Sequence, residues 1–317
     1  MTRILITRPL PKRVLTEAEK HFEVEVRDTN SPMKRSQLRA GLVLHDGILA
    51  TLGDEFDARV FADFDAPRCK IIANFGVGYN HIDATAARGA GITVTNTPGA
   101  VTDATADIAM TLILMTARRA GEAERLVRAG QWEGWHPTQM LGMHVTGRTV
   151  GIIGMGRIGQ AIGRRCHYGF GMEVLYHNRS AKTVDFPARQ VSLAELATRA
   201  DLVVVAVPGG AETHHLIGAE VFSAMQRGSI FVNIARGDIV DEAALITALQ
   251  AGRIGGAGLD VYEFEPTVPK ALREMENVTL LPHLGTAALE VREDMGLMAV
   301  ENLRAFFAGE DVPNAVN

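Results

Sequence analysis

Cysteine is scarce in this chain: two in 317 residues, Cys69 and Cys166. Two isolated thiols offer neither a disulfide framework nor a metal-ligand spacing. Both read as small buried hydrophobes in a reduced, cytoplasmic setting. Long apolar runs are missing too. The longest, Ile108 to Ala117, lies between Asp107 and Arg118 and is far too short to span a bilayer, so no membrane is expected. Positive charge is not concentrated anywhere. The net charge is −5 with no basic block, which argues against nucleic acid as a partner. A charged, apolar-core signal peptide is also absent, since Met1-Thr2-Arg3-Ile4-Leu5-Ile6-Thr7 reads as a short first strand. Repeats and low-complexity segments are not found.

What remains is the composition of a soluble globular protein, 47% hydrophobic and 22% charged. The length exceeds one ordinary core and suggests two domains. Over the first hundred residues short apolar strands alternate with helical patterns. The strands are expected at Arg3–Ile6, Glu23–Arg27, Gly47–Thr51, Lys70–Asn74 and Ile92–Thr95, and the helices at Arg35–Ala40, Phe56–Phe61 and Ala84–Arg88. Such alternation implies a parallel sheet covered on both faces. One long helix, about Thr102 to Arg128, is apolar on every face and is expected at a domain or subunit contact.

A second alternating region starts at Thr149. Six strands are expected there, at Thr149–Ile153, Met172–Tyr176, Leu202–Val207, Ile230–Ile234, Ala257–Val261 and Val278–Leu281. Helices fall near Arg157–Cys166, Leu193–Arg199, Ala219–Ala224 and Glu242–Ala251, and a last one runs over Ala287–Ala308. The expected architecture is α/β with two doubly wound parallel-sheet domains. A Rossmann-type domain over 100–286 is inserted into a flavodoxin-like domain made of 1–99 and 287–317.

The most informative stretch is Val150-Gly151-Ile152-Ile153-Gly154-Met155-Gly156-Arg157-Ile158-Gly159. An apolar strand meets Gly-x-Gly-x-x-Gly and continues as a helix, which is what dinucleotide binding needs at its first turn. Gly154 permits the tight turn, Gly156 lets a pyrophosphate approach the backbone, and Gly159 lets helix and strand pack closely. The helix-start amides then face the phosphate charge. An acidic residue about 20 positions on would bind the ribose hydroxyls of NAD. Here His177-Asn178-Arg179-Ser180 follows the second strand instead. Arg179 suits a 2′-phosphate, with Asn178 and Ser180 as hydrogen-bond donors, and no Asp or Glu of that stretch repels it. NADP(H) is therefore the preferred cofactor, with NAD(H) possible.

Three segments follow at expected strand ends: Asn233-Ile234-Ala235-Arg236-Gly237, Asp260-Val261-Tyr262-Glu263-Phe264-Glu265-Pro266 and Pro282-His283-Leu284-Gly285. With Asn74-Phe75-Gly76-Val77-Gly78-Tyr79-Asn80-His81-Ile82-Asp83, Asn96-Thr97-Pro98-Gly99, Ala104-Thr105-Ala106-Asp107 and Trp132-Glu133-Gly134-Trp135, they make essentially the whole chain resemble the D-isomer-specific 2-hydroxyacid dehydrogenases. Within that family the likeness is greatest to glyoxylate and hydroxypyruvate reductases.

The resemblance implies that Arg236, Glu265 and His283 are the catalytic trio and that a small 2-keto acid is reduced by hydride from NADPH or NADH. Chemically, an arginine fork binds the carboxylate and polarises the carbonyl. An imidazole supplies the proton. A carboxylate beside an imidazole orients it and favours its charged form. Glu263 has the same chemistry two residues earlier, but the family pattern places the carboxylate immediately before the proline. The resemblance further implies substrate contacts from Val77 and Gly78 and cofactor contacts from Thr105, Arg157, Ile158, Val207, Pro208, Ile234, Ala235, Asp260 and Gly285. His214-His215 is not expected to bind metal, because neighbouring side chains should point apart. The apolar long helix and the Gly130–His144 connection suggest a homodimer. The alternative is a dinucleotide-sensing, corepressor-like protein on the same fold.

Overall fold

In the computed structural model, which describes residues 1–64 and 66–317, the chain divides into two compact units. One comprises Met1–Val101 with Ala287–Asn317, the other Thr102–Thr286.

The first unit runs β1 (Arg3–Ile6), α1 (Lys12–His21), β2 (Glu23–Val26), α2 (Arg35–Leu44), β3 (Gly47–Thr51), α3 (Ala58–Phe61), β4 (Ile71–Phe75), α4 (Ala84–Gly89) and β5 (Thr93–Thr95). Its five strands are all parallel in the order β2-β1-β3-β4-β5, the flavodoxin-like winding. β3 is buried along its length, as a strand covered on both faces must be. Helix α1 was not legible as a strand-to-strand helix, because only Val14 and Ala18 of its ten residues are buried and all the others but Leu15 are polar.

The second unit runs α5 (Thr102–Ala117), α6 (Ala120–Arg128), β6 (Thr149–Ile153), α7 (Arg157–Arg164), β7 (Glu173–His177), β8 (Arg189–Gln190), α8 (Leu193–Arg199), β9 (Leu202–Val205), α9 (Ala219–Ala224), β10 (Ile230–Asn233), α10 (Glu242–Gln250), β11 (Gly256–Leu259), α11 (Lys270–Glu274) and β12 (Val278–Leu280). The sheet has seven strands, not six; the unforeseen one is the exposed two-residue edge β8, too short to leave a pattern. All pair in parallel in the order β12-β11-β10-β9-β6-β7-β8, the classic dinucleotide winding with one strand added.

The single long helix expected over Thr102–Arg128 is two helices. Arg119 takes a left-handed φ of 53° and breaks it, while its guanidinium grips Glu122 at 2.6 and 2.8 Å. The apolar character of α5 is also explained within its own unit. Ala106, Ala109, Leu112 and Ile113 are fully buried and pack with Val150, Ile152, Ile162, Val204 and Val232 of α7 and the sheet.

Helix α12 (Leu289–Ala308) returns to the first unit, where Ala299, Val300 and Leu303 join the core of Ile4, Ile6, Leu49 and Ile71. It ends at Gly309 with a φ of 72°. The tail then runs along the β5 edge. Val316 N–H donates to Val94 O at 2.9 Å, and the Asn317 amide donates to Ala84 O and Ile92 O. An otherwise open sheet edge is thereby covered. Among the described residues, no helix is long and apolar enough to cross a membrane.

Candidate active site

Parallel strands put all their carboxyl ends on one side of a sheet, and that is where open α/β folds bind ligands. In the second unit, β6 is followed by Gly154, β7 by Asn178, β9 by Val207, β10 by Arg236, β11 by Asp260 and β12 by His283.

The glycine turn has no room for a side chain at two of its positions and open space at the third. Gly154 has a φ of 102°, and a Cβ there would sit 2.7 Å from the Ala206 carbonyl. At Gly159 a Cβ would lie 2.0 Å from Gly154 O, so the helix start closes onto the turn only without a side chain. At Gly156, by contrast, a Cβ would meet nothing within 4 Å: the glycine opens onto free space. Gly156 caps α7 without a side-chain acceptor, leaving the helix-start amides for an anion. Arg157 is exposed beside it and Ile158 half-buried. These features fit a bound dinucleotide.

At the next strand end, Asn178 Oδ1 accepts from Met155 N–H at 3.2 Å and Asn178 Nδ2 donates to Ser180 O at 2.8 Å. Asn178 thus ties the turn after β7 to the glycine turn. Arg179 and Ser180 are exposed. The stretch itself carries no carboxylate, as expected, but the fold brings one from elsewhere. Glu212, from the turn after β9, reaches Arg179 with Oε2 2.5 Å from Nη1. A window of residues after β7 could not reveal an acid arriving from another loop. Val207 is half-buried and Pro208 exposed, while Ile234 is buried and Ala235 half-buried.

Arg236 stands in a turn built by Asn233, whose Nδ2 donates to Arg236 O at 2.8 Å and whose Oδ1 accepts from Ala235 N–H at 3.0 Å. The next residue has no room for a side chain, since a Cβ on Gly237 would lie 1.8 Å from the Tyr262 carbonyl carbon. The Arg-Gly pair therefore presses the β10 turn onto the β11 turn. Burial pushes the guanidinium pKa down, and the charges of Glu265 and Asp238 oppose that.

Glu265 Oε2 lies 2.9 Å from His283 Nδ1, and Glu265 Oε1 accepts from Tyr262 N–H at 3.1 Å. Burial would raise this carboxyl, but the His283 hydrogen bond and charge, the Tyr262 amide and Arg236 together hold it below the ordinary range. Glu265 is thus hydrogen-bonded to the imidazole and feels the guanidinium's charge. Glu263 faces away and pairs with His215 instead, Nε2 to Oε1 at 2.8 Å.

His283 takes a left-handed φ of 55°, which is strained for a residue with a Cβ. Asp260 holds it there. Its carbonyl accepts from His283 N–H at 2.9 Å, Oδ1 from Leu284 N–H at 2.6 Å and Oδ2 from Gly285 N–H at 2.8 Å. Burial raises the Asp260 pKa; those two amides and the His283 charge act against it. Thr105 completes the clasp by donating from Oγ1 to Gly285 O at 3.2 Å. Asp260 and Thr105, expected to touch cofactor, are thus engaged in shaping the His283 turn; each Asp260 oxygen retains a further lone pair. Tyr262 was not foreseen. Its hydroxyl donates to Leu281 O at 2.9 Å and joins the ends of β11 and β12, and only the fold brings these carbonyls together.

In the first unit, the loop after β4 carries Val77 and Gly78, both half-buried. Asn74 Nδ2 donates to Gly76 O and Gly78 O at 2.8 and 3.0 Å, and Asn96 Nδ2 donates to Val77 O at 2.8 Å. Three consecutive carbonyls are so committed to the asparagines.

One further expectation fails. His214 and His215 do not diverge: their rings stack with centroids 4.0 Å apart, because His215 adopts a φ of 49°.

Residues 110–285 match the family model described as D-isomer specific 2-hydroxyacid dehydrogenase, NAD binding domain. A glyoxylate reductase of Thermococcus onnurineus is 44% identical over 99% of this chain and 96% of its own. Among solved structures, an NADPH-dependent glyoxylate/hydroxypyruvate reductase from Sinorhizobium meliloti, in complex with NADP and malonate, is 38% identical with a TM-score of 0.89, over 99% of this chain and 96% of the other. A D-isomer specific 2-hydroxyacid dehydrogenase described for Polaromonas is 35% identical with a TM-score of 0.91, over the whole of both chains.

Proposed function

The chain belongs to the D-isomer-specific 2-hydroxyacid dehydrogenase family, and from that premise we propose that it reduces glyoxylate to the achiral glycolate and hydroxypyruvate to the D-2-hydroxy acid with NADPH. The observation that carries this is the Glu265–His283 pair at 2.9 Å, with Arg236 close enough for its charge to act on the same carboxylate. A nicotinamide, when bound, would supply hydride to the carbonyl carbon. Arg236 holds the substrate carboxylate and draws on the carbonyl oxygen. His283 Nδ1 is occupied by Glu265, so Nε2 is the atom that donates the proton as charge develops on that oxygen. In oxidation the same nitrogen accepts it. Val77 and Gly78 are assigned to substrate binding as well, on a loop of the first unit whose carbonyls are tied back by the Asn74 and Asn96 side chains. Consumption of NADPH with either keto acid, followed at the nicotinamide absorbance, tests this. Tight dinucleotide binding without any turnover would favour the sensing role instead.

The preference for NADPH over NADH rests on Arg179. Its exposed pair with Glu212 is worth at most about 1 kcal/mol in water and gives way to a doubly charged phosphate. Arg179→Ala is expected to lower the NADPH/NADH ratio of kcat/KM by about tenfold or more, the worth of a hydrogen-bonded ion contact. Glu212→Gln is expected to raise it by a few fold, because one competing anion is removed. An unchanged ratio in Arg179→Ala would take Arg179 out of the account.

A cytoplasmic homodimer belongs to the same proposal. Burial pushes the Cys69 and Cys166 thiols up to about 12, which suits unpaired cysteines that stay reduced. Trp132, Trp135 and Leu141 are 54%, 80% and 68% exposed in the segment before β6, an apolar surface that a second copy would cover. Sedimentation at a single-chain mass would rule the dimer out.

A further inference from the structure

Two His–Glu pairs sit back to back on the segment after β11. One, His283 with Glu265, is accounted for above. The other, His215 with Glu263, has a third member. The left-handed φ at His215 turns two consecutive imidazoles to the same side, and they stack at 4.0 Å with 23° between the ring planes. One nitrogen from each ring and one Glu263 oxygen all lie within 4.8 Å of one another.

We propose that His214, His215 and Glu263 form a binding site for one divalent transition-metal ion of the zinc class. Two imidazoles and a carboxylate are a zinc-type donor set, with a fourth position open to water. Nitrogen donors favour zinc, cobalt or nickel over magnesium or calcium, which prefer all-oxygen shells. Bonds of about 2.0–2.2 Å require donors roughly 3.4 Å apart in a tetrahedron. The widest pair must therefore close by little more than an ångström, and the 2.8 Å His215–Glu263 contact must open slightly. Both imidazoles are exposed and free to make that adjustment by side-chain rotation.

The carboxylate is prepared in advance. The Glu263 side chain is only 13% exposed, and its Oε2 accepts from Glu242 N–H at 3.4 Å. In return Glu242 Oε2 accepts from Glu263 N–H at 3.4 Å. Two carboxylates thus stand close together behind the histidines, a negative site that a cation neutralises. His215 is itself anchored, its N–H donating to Asp238 O at 2.8 Å. A His215–Glu263 ion pair alone would have no use for a second ring. Near-parallel rings aim their in-plane lone pairs side by side, so binding one ion also requires one ring to turn out of the stack.

The test uses the full chain, stripped with a chelator and dialysed. Titration with Zn²⁺ by calorimetry and with Co²⁺ by visible absorption is expected to show one saturable ion per chain, with the intense bands of tetrahedral cobalt. His214→Ala, at an exposed position and checked for an unchanged Tm, is expected to weaken binding at least tenfold, and Glu263→Gln likewise. His283→Asn, which removes the imidazole of the other pair, is expected to bind as the wild type does. Absence of saturable binding overturns the proposal. So does a His214→Ala affinity equal to wild type, or binding lost in His283→Asn but kept in His214→Ala.

Discussion

Replacing His283 by asparagine is expected to lower kcat for glyoxylate reduction by about 10²–10⁴, the usual worth of a positioned general acid. The dissociation constant for NADPH should stay within about threefold of wild type, because the pyrophosphate cradle around Gly154 and Gly156 is untouched. Asparagine is chosen because His283 has a φ of 55°, a backbone conformation asparagine tolerates better than alanine. The Asp260 clasp on the Leu284 and Gly285 amides should therefore survive, and the Tm should not move appreciably. Stopped-flow turnover and fluorescence titration separate the two effects. Near-normal kcat in this variant would remove His283 from the chemistry. The role of Glu265 is read from the same experiment in Glu265→Gln. Its carboxyl is held below the ordinary range, so it is a carboxylate throughout the neutral region and its charge is present whenever His283 must gain or lose a proton.

Arg236→Lys is expected to reduce kcat/KM for glyoxylate by about 30-fold or more, the cost of breaking a desolvated charged contact. Lysine keeps the charge but loses the planar fork that binds a carboxylate through two parallel hydrogen bonds. Most of the loss should appear in KM, and in kcat as well to the extent that the guanidinium draws on the carbonyl oxygen. The turn itself should hold, since it is built by the Asn233 side chain and by the tight passage of Gly237 against Tyr262. Steady-state kinetics with glyoxylate and hydroxypyruvate check this. A KM unchanged for both acids would mean that the substrate carboxylate binds elsewhere.

The alternation of strands and helices was legible because it depends on short-range periodicity. β1, β3 and β6 were expected at the bounds observed, and α8 and α9 likewise. Elements with little apolar pattern escaped notice: α1 buries only two side chains, and β8 is two exposed residues. The break at Arg119 inside an apolar helix was also hidden. Its left-handed backbone is stabilised by Glu122, and arginine carries no local sign of that conformation.

Within the site, the glycine turn was readable because a missing side chain is a local property: each glycine allows a turn or an approach that no other residue allows. The histidine, arginine and carboxylate types were readable for the same reason, since their chemistry travels with the residue. Their pairing was not a local matter. Whether Glu263 or Glu265 meets His283, whether Arg179 meets a carboxylate, and whether two adjacent histidines diverge or stack all depended on which loop ends the sheet brings side by side. Residues as distant as 212 and 179, or 263 and 215, became partners through strand order and one left-handed turn. Hydrogen bonds act over about 3 Å, so they are assigned by folded distance, while the groups able to make them are listed along the chain.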